Sequence, residues 1–361
     1  MKSIGQKFKV SAPGRICLFG EHQDYLQLPV IAAAISERIY IEGKLRNDNK
    51  VIIDLPDISE KKEFQLNFPL NYTEERDYFK SSLNVLYKHG IRLSNGIDSV
   101  VKGSIPINAG ASSSSALVVA WVHLLSQLSD SDIILSPKEI GKYAHEAEVI
   151  EFNEPGGMMD EITSAVGGLL RLDFYPSLNI SKIDSQLKSF ILADSGEPKN
   201  TKYVLSHVKE RILKVVKQLA DKNSEFSLQT LKYNDIESFS NDLIEEDLEL
   251  LKGTIKNRDI TNYAEKVLSA DVLDHKLLGD LLNDHQEILR NVLGISTDKI
   301  DLMIKIAIEK GAYGAKINGS GGGGTMFAYV PENTTNILEE LKKISVRAFI
   351  INIGKGTKIE F

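Results

Sequence analysis

Ile105-Pro-Ile-Asn-Ala-Gly-Ala-Ser-Ser-Ser-Ser-Ala116 is the stretch on which the fold turns. It closes a strand-like run over 99–105 and feeds a segment over 113–128 that is apolar almost all round, the mark of a buried helix. A strand, then small residues, then a helix start is the layout of an anion site. Free backbone N–H groups and the positive helix end meet phosphate oxygens, and small side chains let them approach. Four consecutive serines add hydroxyls for phosphate or Mg2+. A flexible linker also carries small residues, but linkers rarely run straight into a fully buried helix.

Two more glycine-rich segments lie on either side of it. Ala12-Pro-Gly-Arg-Ile-Cys-Leu-Phe-Gly-Glu-His-Gln-Asp-Tyr25 sets Arg15, Glu21, His22 and Asp24 around strand-like runs at 8–10 and 16–19, with Pro13-Gly14 reading as a turn. A planar cation, two carboxylates and an imidazole can grip several hydroxyls of a polyol; a solvated charged loop is the plain alternative. Ala315-Lys-Ile-Asn-Gly-Ser-Gly-Gly-Gly-Gly-Thr325 lies between two strands, where glycine permits positive φ and close backbone approach. Alone it is a long hairpin loop. None of the three is a G-x-x-x-x-G-K-[ST] loop, and the protein-kinase and dinucleotide-binding signatures are absent.

The 361 residues suggest two domains or one large fused unit, and 42% hydrophobic content suffices for a real core. A net charge of −7 excludes the basic footprint of a nucleic-acid binder. A single cysteine, Cys17, excludes an internal disulfide and a cysteine metal site, and fits a reducing cytoplasm. No signal-peptide core follows the first residues, and no stretch approaches the ~20 apolar residues of a membrane helix. The expectation is a soluble cytoplasmic protein.

Apolar spacing predicts a helix over 78–89, a second from the capping box Ser136-Pro-Lys-Glu139 to about 151, and a short third from Met158 that Gly167-Gly168 ends. Further helical periods cover 204–219, 242–252, 260–268, 275–293, 299–310 and 333–343. Strands are expected at 30–35 (buried), 38–43 (edge), 169–174, 314–318, 325–330 and 346–353. Mixed order with long helical blocks predicts α+β and not a doubly wound parallel sheet, with a boundary near 185–200.

In this order the three segments resemble the motifs of the GHMP kinase superfamily, which includes galactokinase, homoserine kinase, mevalonate kinase and phosphomevalonate kinase. Gly20-Glu-His-Gln-Asp-Tyr25 is similar to the galactokinase signature Gly-Glu-His-Thr-Asp-Tyr, and Arg15 matches an arginine where mevalonate kinases carry lysine. Gly156-Gly-Met-Met-Asp-Glu161 is similar to the galactokinase Cys-Gly-Ile-Met-Asp-Gln. Leu192-Ala-Asp-Ser-Gly-Glu-Pro-Lys-Asn-Thr201, and 283–293 followed by Gly311-Ala-Tyr-Gly-Ala-Lys316, look more like the mevalonate-kinase branch. The galactokinase Ser-Glu-Tyr-Asn segment has no counterpart.

The resemblance implies two lobes with the active site in the cleft between them. Residues 1–190 would form an N-terminal mixed sheet with helices, like ribosomal protein S5 domain 2. Residues 191–361 would form a C-terminal α+β lobe whose last strand crosses back. It implies ATP-dependent phosphorylation of a sugar hydroxyl, above all the anomeric C1 hydroxyl of galactose or a related monosaccharide. A mevalonate-type kinase and a non-catalytic ATP- and sugar-binding sensor are the alternatives. Asp160 would be the base and Arg15 would stabilise developing charge. Glu21, His22, Asp24, Tyr25 and Gly157 would bind the sugar. Gly110, Ala111, Ser112, Ser113, Ser114, Ser115 and Ala116, with Gly319, Gly321 and Gly322, would hold the ATP phosphates, and Ser115 and Glu148 would hold Mg2+. Lys199 would be a further phosphate or sugar contact and 72–86 the adenine wall. His285 and Cys17 read as structural. No nucleic-acid or membrane partner is implied.

Overall fold

Lys7–Phe19 forms a single strand (β1) where a turn is expected at Pro13-Gly14. The chain makes a bulge there instead, with the pairing register shifting between Pro13 and Arg15. The cause lies far away in sequence. Arg15 N–H donates to Ala111 O at 3.2 Å, and a Cβ on Gly14 would stand 2.7 Å from the same oxygen. Glycine is used here for the close approach of the serine-rich loop to the strand.

The computed structural model describes residues 4–107, 110–131, 133–198, 201–330 and 334–360, with backbone alone at 201–203, 205 and 206. After β1 come β2 (Val30–Leu45), β3 (Lys50–Leu55), β4 (Glu60–Gln65), α1 (Tyr78–Lys88), β5 (Ile97–Gly103) and α2 (Ser113–Leu128). Then follow α3 (Pro137–His145), α4 (Met159–Val166), β6 (Leu169–Asp173), β7 (Asn179–Lys182) and β8 (Phe190–Asp194). The remainder is α5 (Thr201–Lys222), α6 (Glu245–Leu268), α7 (His275–Asn291), α8 (Asp298–Glu309), β9 (Gly314–Ile317), β10 (Thr325–Tyr329), α9 (Thr334–Ile344), β11 (Arg347–Ile351) and β12 (Lys358–Glu360).

The first sheet has eight strands in the order β12-β1-β2-β5-β3-β4, with β6 paired to β2 and β7 to β6. The second has four antiparallel strands in the order β11-β8-β10-β9. The expected edge strand at 38–43 is instead central. It is the second half of β2, and it pairs with β1 on one side and β5 on the other. The first half pairs with β6, so β2 organises the whole sheet. Helix α2 lies under this sheet, and its Trp121 donates Nε1–H to Phe79 O at 3.1 Å. Two expected helices, 242–252 and 260–268, are one helix, α6. Its middle carries few apolar residues because Thr254, Asn257 and Arg258 are buried and hydrogen-bonded. Among the described residues no helix is long and apolar enough to cross a membrane.

After β11 the chain returns to the first sheet. Ile353 bridges to Ile35, Lys355 to Gly167, and β12 pairs with β1. The Arg38 guanidinium holds this return, donating to Ser11 Oγ (2.8 Å), Ser11 O (3.1 Å), Lys355 O (2.6 Å) and Gly356 O (2.8 Å). Arg38→Ala is therefore expected to lower the unfolding free energy by about 2–4 kcal/mol in chemical denaturation, since several acceptors lose a charged donor together. Arg38→Lys should recover less than half of the loss, because an ammonium cannot reproduce the fork.

Candidate active site

The β1 bulge turns Arg15 into the interior, and α4 presents Asp160 in its first turn, where the helix dipole favours a carboxylate. Arg15 Nε and Nη2 each donate to an Asp160 carboxylate oxygen at 2.7 Å, and Nη1 donates to Gly110 O at 2.7 Å. Ser112 Oγ–H also donates to Asp160 Oδ2, at 2.5 Å. Ser112 is the cap residue of α2, yet its side chain makes no capping bond and its φ is +57°. A left-handed serine is strained, and here the strain turns its hydroxyl from the helix to the carboxylate. The serine-rich loop and Asp160 are thereby fastened to one guanidinium.

Asp24 sits beside them. Its Oδ1 accepts from Tyr25 N–H (2.9 Å) and its Oδ2 from Met159 N–H (3.4 Å). A Cβ on Gly157 would lie 2.0 Å from Asp24 Oδ2, so glycine at 157 is what admits this carboxylate. Burial, and then the charge of Asp160, push the Asp24 carboxyl up to about 6. His22, at φ +61°, donates from Nε2 to Ser320 O and accepts at Nδ1 from the Tyr25 hydroxyl, each at 3.0 Å.

Glu21 turns inward. It accepts from Lys316 Nζ at 2.5 Å and from Gly319 N–H at 3.3 Å. Lys316, fully buried, also donates to Cys17 O and Ile317 O. Asn318 accepts from Cys17 N–H and donates to Gly110 O, both at 3.0 Å. The third glycine-rich segment is thus locked onto the first and second. The sequence assigns no role to Lys316 or Asn318 and gives the Ser112 hydroxyl to phosphate; their side chains serve contacts about 50 to 300 residues away that no local pattern encodes.

These groups open into a cavity of about 890 Å³. Arg15, Glu21, His22, Asp24, Tyr25, Gly110, Ser112, Ser113, Ser114, Ser115, Glu148, Gly157, Asp160 and Gly319 all line it. Four expected phosphate contacts do not. Ala111 and Ala116 are fully buried, Gly321 packs on Ile295, and Gly322 faces Val204. From the expected adenine wall, Glu74, Glu75, Arg76 and Tyr78 reach the cavity, and Tyr72 and Tyr78 pack on Phe152. Lys199 lies outside the described residues. His285 is fully buried against the Phe19 ring, and burial holds it neutral. Burial likewise pushes the Cys17 thiol well above its ordinary range.

Glu148 projects from a π-helical turn, Glu146–Ile150, that continues α3. Burial, and then the charge of Glu161, push its carboxyl up to about 8, against the opposing hydrogen bonds of Ser114 and Ser115. Its Oε2 is buried without a hydrogen-bond partner. Carboxylate and hydroxyl oxygens suit Mg2+, so Glu148 and Ser115 fit that ion. Among the described residues no group of three or more His, Cys, Asp or Glu is placed to hold a metal.

Asp24 supplies a test of the electrostatics. Its folded pKa of about 6 lies above the ordinary 3.8, so the folded state binds the proton more tightly and loses stability as pH rises between them. Asp24→Asn should therefore stabilise the fold, with a gain that grows from about pH 4 to about pH 6 and then levels off. Denaturation midpoints across that range would measure it, and a gain independent of pH would contradict the assignment.

Models of the GHMP kinases N terminal domain and of the GHMP kinases C terminal match residues 77–168 and 264–345, and the galactokinase galactose-binding signature matches residues 2–44. The chain is 27% identical to the mevalonate kinase of Thermococcus sibiricus over 97% of both chains. It is 29% identical to the galactokinase of Thermotoga petrophila over 96% of both. Its fold matches that of Lactococcus lactis galactokinase complexed with galactose, with a TM-score of 0.88 at 20% identity, over 99% of this chain and 96% of that one. It also matches Methanococcus jannaschii mevalonate kinase, with a TM-score of 0.74 at 21% identity, over 97% and 99%. Matches to both halves of one enzyme family thus run through this sequence in order, and the chain belongs to the GHMP kinases, phosphotransferases whose acceptor is an alcohol group.

Proposed function

We propose that this GHMP kinase transfers the γ-phosphoryl group of ATP to the anomeric C1 hydroxyl of galactose or a related monosaccharide. The charge of the cavity carries this reading. Among the described residues eight carboxylates line it: Glu21, Asp24, Glu74, Glu75, Glu148, Glu154, Asp160 and Glu161. Its two arginines are already engaged, Arg15 by Asp160 and Arg76 by Glu154. A neutral polyol suits such walls, whereas an anionic acceptor would need an uncommitted cation. Asp24, beside Asp160, can accept from two neighbouring hydroxyls. The wrong epimer would leave a buried acceptor unpaired at a cost of about 1–3 kcal/mol.

In this mechanism the N–H groups at the start of α2 bind the phosphates, and the γ-phosphoryl group is held in line with the acceptor oxygen. Magnesium on Ser115 and Glu148 would neutralise phosphate charge. Asp160 takes the proton of the acceptor hydroxyl; it already accepts a hydrogen bond from the Ser112 hydroxyl at 2.5 Å, so the position suits a hydroxyl donor. Arg15 steadies the carboxylate and stabilises negative charge on the transferring group. We infer also a division into lobes 1–190 and 191–361, supported by the separate sheets apart from the return of β12 to the first, and a cytoplasmic location, supported by the lone buried cysteine. The mevalonate kinases among the relatives favour a second reading, a branched hydroxy acid as acceptor.

Full-length protein with Mg-ATP should release ADP with galactose or another neutral monosaccharide from a panel that includes uronic acids, amino sugars, mevalonate and homoserine. Activity confined to mevalonate or homoserine would overturn the sugar reading. Asp160→Asn and Asp160→Ala should each lower kcat by on the order of 10²-fold or more, with ATP binding nearly intact by calorimetry in Asp160→Asn, which keeps an acceptor for Arg15. Near-wild-type turnover in both would remove Asp160 from the role of base.

A further inference from the structure

Consecutive residues on a helix point about 100° apart. Asp160 faces Arg15, whereas the next residue of α4, Glu161, meets His145 at the end of the neighbouring α3, immediately before the turn that carries Glu148, and its charge acts on Glu148. Glu161 is only 1% exposed, yet it reaches the cavity wall. Its Oε1 accepts one bond, from His145 Nδ1 at 3.3 Å, and its Oε2 has no partner. Glu148 Oε2 is equally buried and equally without a partner. Two buried carboxylates, each with an orphan oxygen, repel one another in a medium that screens them poorly. A hard divalent cation between them supplies what both lack.

We propose that Glu161 is a second carboxylate ligand of the divalent cation held by Glu148 and Ser115, and that this chain consequently binds the cation before any nucleotide is present. The inference deepens the kinase reading of the site and rests on it. With one carboxylate, Mg2+ depends on substrate phosphates for its remaining ligands; with two, the protein alone offers a charge-neutral site.

The test uses the full-length protein without nucleotide. Mn2+ is titrated and followed by loss of the free-ion EPR signal, and Mg2+ is then added as competitor. The expected result is one Mn2+ per chain, displaced by Mg2+. Glu161→Gln should weaken binding at least tenfold, with a metal-free melting temperature at or above that of the unmodified chain because the repulsion is gone. Binding by Glu161→Gln equal to that of the unmodified chain, or no Mn2+ uptake until ATP is added, would overturn the proposal. Glu161 would then serve only as the partner of His145. If Glu161→Gln fails to fold, Glu161→Asp replaces it: weakening of threefold or more supports the proposal, and unchanged binding overturns it. Failure of the kinase reading would look different, with Mn2+ taken up normally and no ADP released with any acceptor.

Discussion

Arg15 joins parts of the chain that lie 95 and 145 residues from it. Burying a guanidinium is costly unless its charge is paired and its N–H groups find acceptors. Asp160 supplies the charge and two oxygens; the Gly110 carbonyl takes a third N–H. Neither partner is dispensable, so the serine-rich loop and the start of α4 must converge wherever β1 places Arg15. The carboxylate proposed as base is thus also the group that permits the arginine to be buried. Chemistry and folding draw on one contact, which fixes the geometry of the cleft before any substrate arrives.

Around that contact the molecule concentrates negative charge and leaves only part of it compensated. Asp160 has Arg15, and Glu21 has Lys316. Asp24 and Glu148 have no cationic partner among the described contacts, and both are pushed up in pKa, by burial first and by neighbouring carboxylates second. Groups held this far from their preferred state weaken the fold and are poised for a ligand. The inward bonds of Glu21, Lys316 and Asn318 do the opposite. They satisfy buried donors and acceptors between β1, the serine-rich loop and β9, and so keep the walls of the cleft rigid while its floor stays charged.

Much of the fold is legible wherever burial follows a simple period. Helix α2 is apolar on every side and occupies 113–128 as expected, and the capping box at Ser136 forms as its residues imply. Legibility fails where distant backbone decides. Pro13-Gly14 carries a turn signature, but the carbonyl of Ala111 makes it a bulge. Strand β4, Glu-Lys-Lys-Glu-Phe-Gln, is too polar to announce itself, and it forms because β3 offers a free edge. The middle of α6 has few apolar residues because it is buried through polar contacts: Asn257 donates to Glu21 O, and the Thr254 carbonyl accepts from Gln23, both in the first glycine-rich segment. For the site, motif order indicated that Arg15, Asp24 and Asp160 belong together, and nothing in their spacing did. Gly321 and Gly322 belong to the third segment, yet they give close approach to Ile295 and Val204 and not to the cavity. Glu161 was overlooked because its neighbour Asp160 accounts for the segment by itself.

The return of the chain to its first sheet has a consequence for biosynthesis. Strand β1 leaves the ribosome long before β12, its edge partner, has been made. Until then one side of β1 presents unpaired N–H and C=O groups, and the acceptors that Arg38 will bind at Lys355 and Gly356 do not yet exist. The sheet that carries Arg15 can collapse early around α2, but it cannot be sealed until the whole second sheet has been made. The nascent first sheet therefore carries an open edge until β12 emerges, the period in which pairing with a neighbouring chain competes with correct closure.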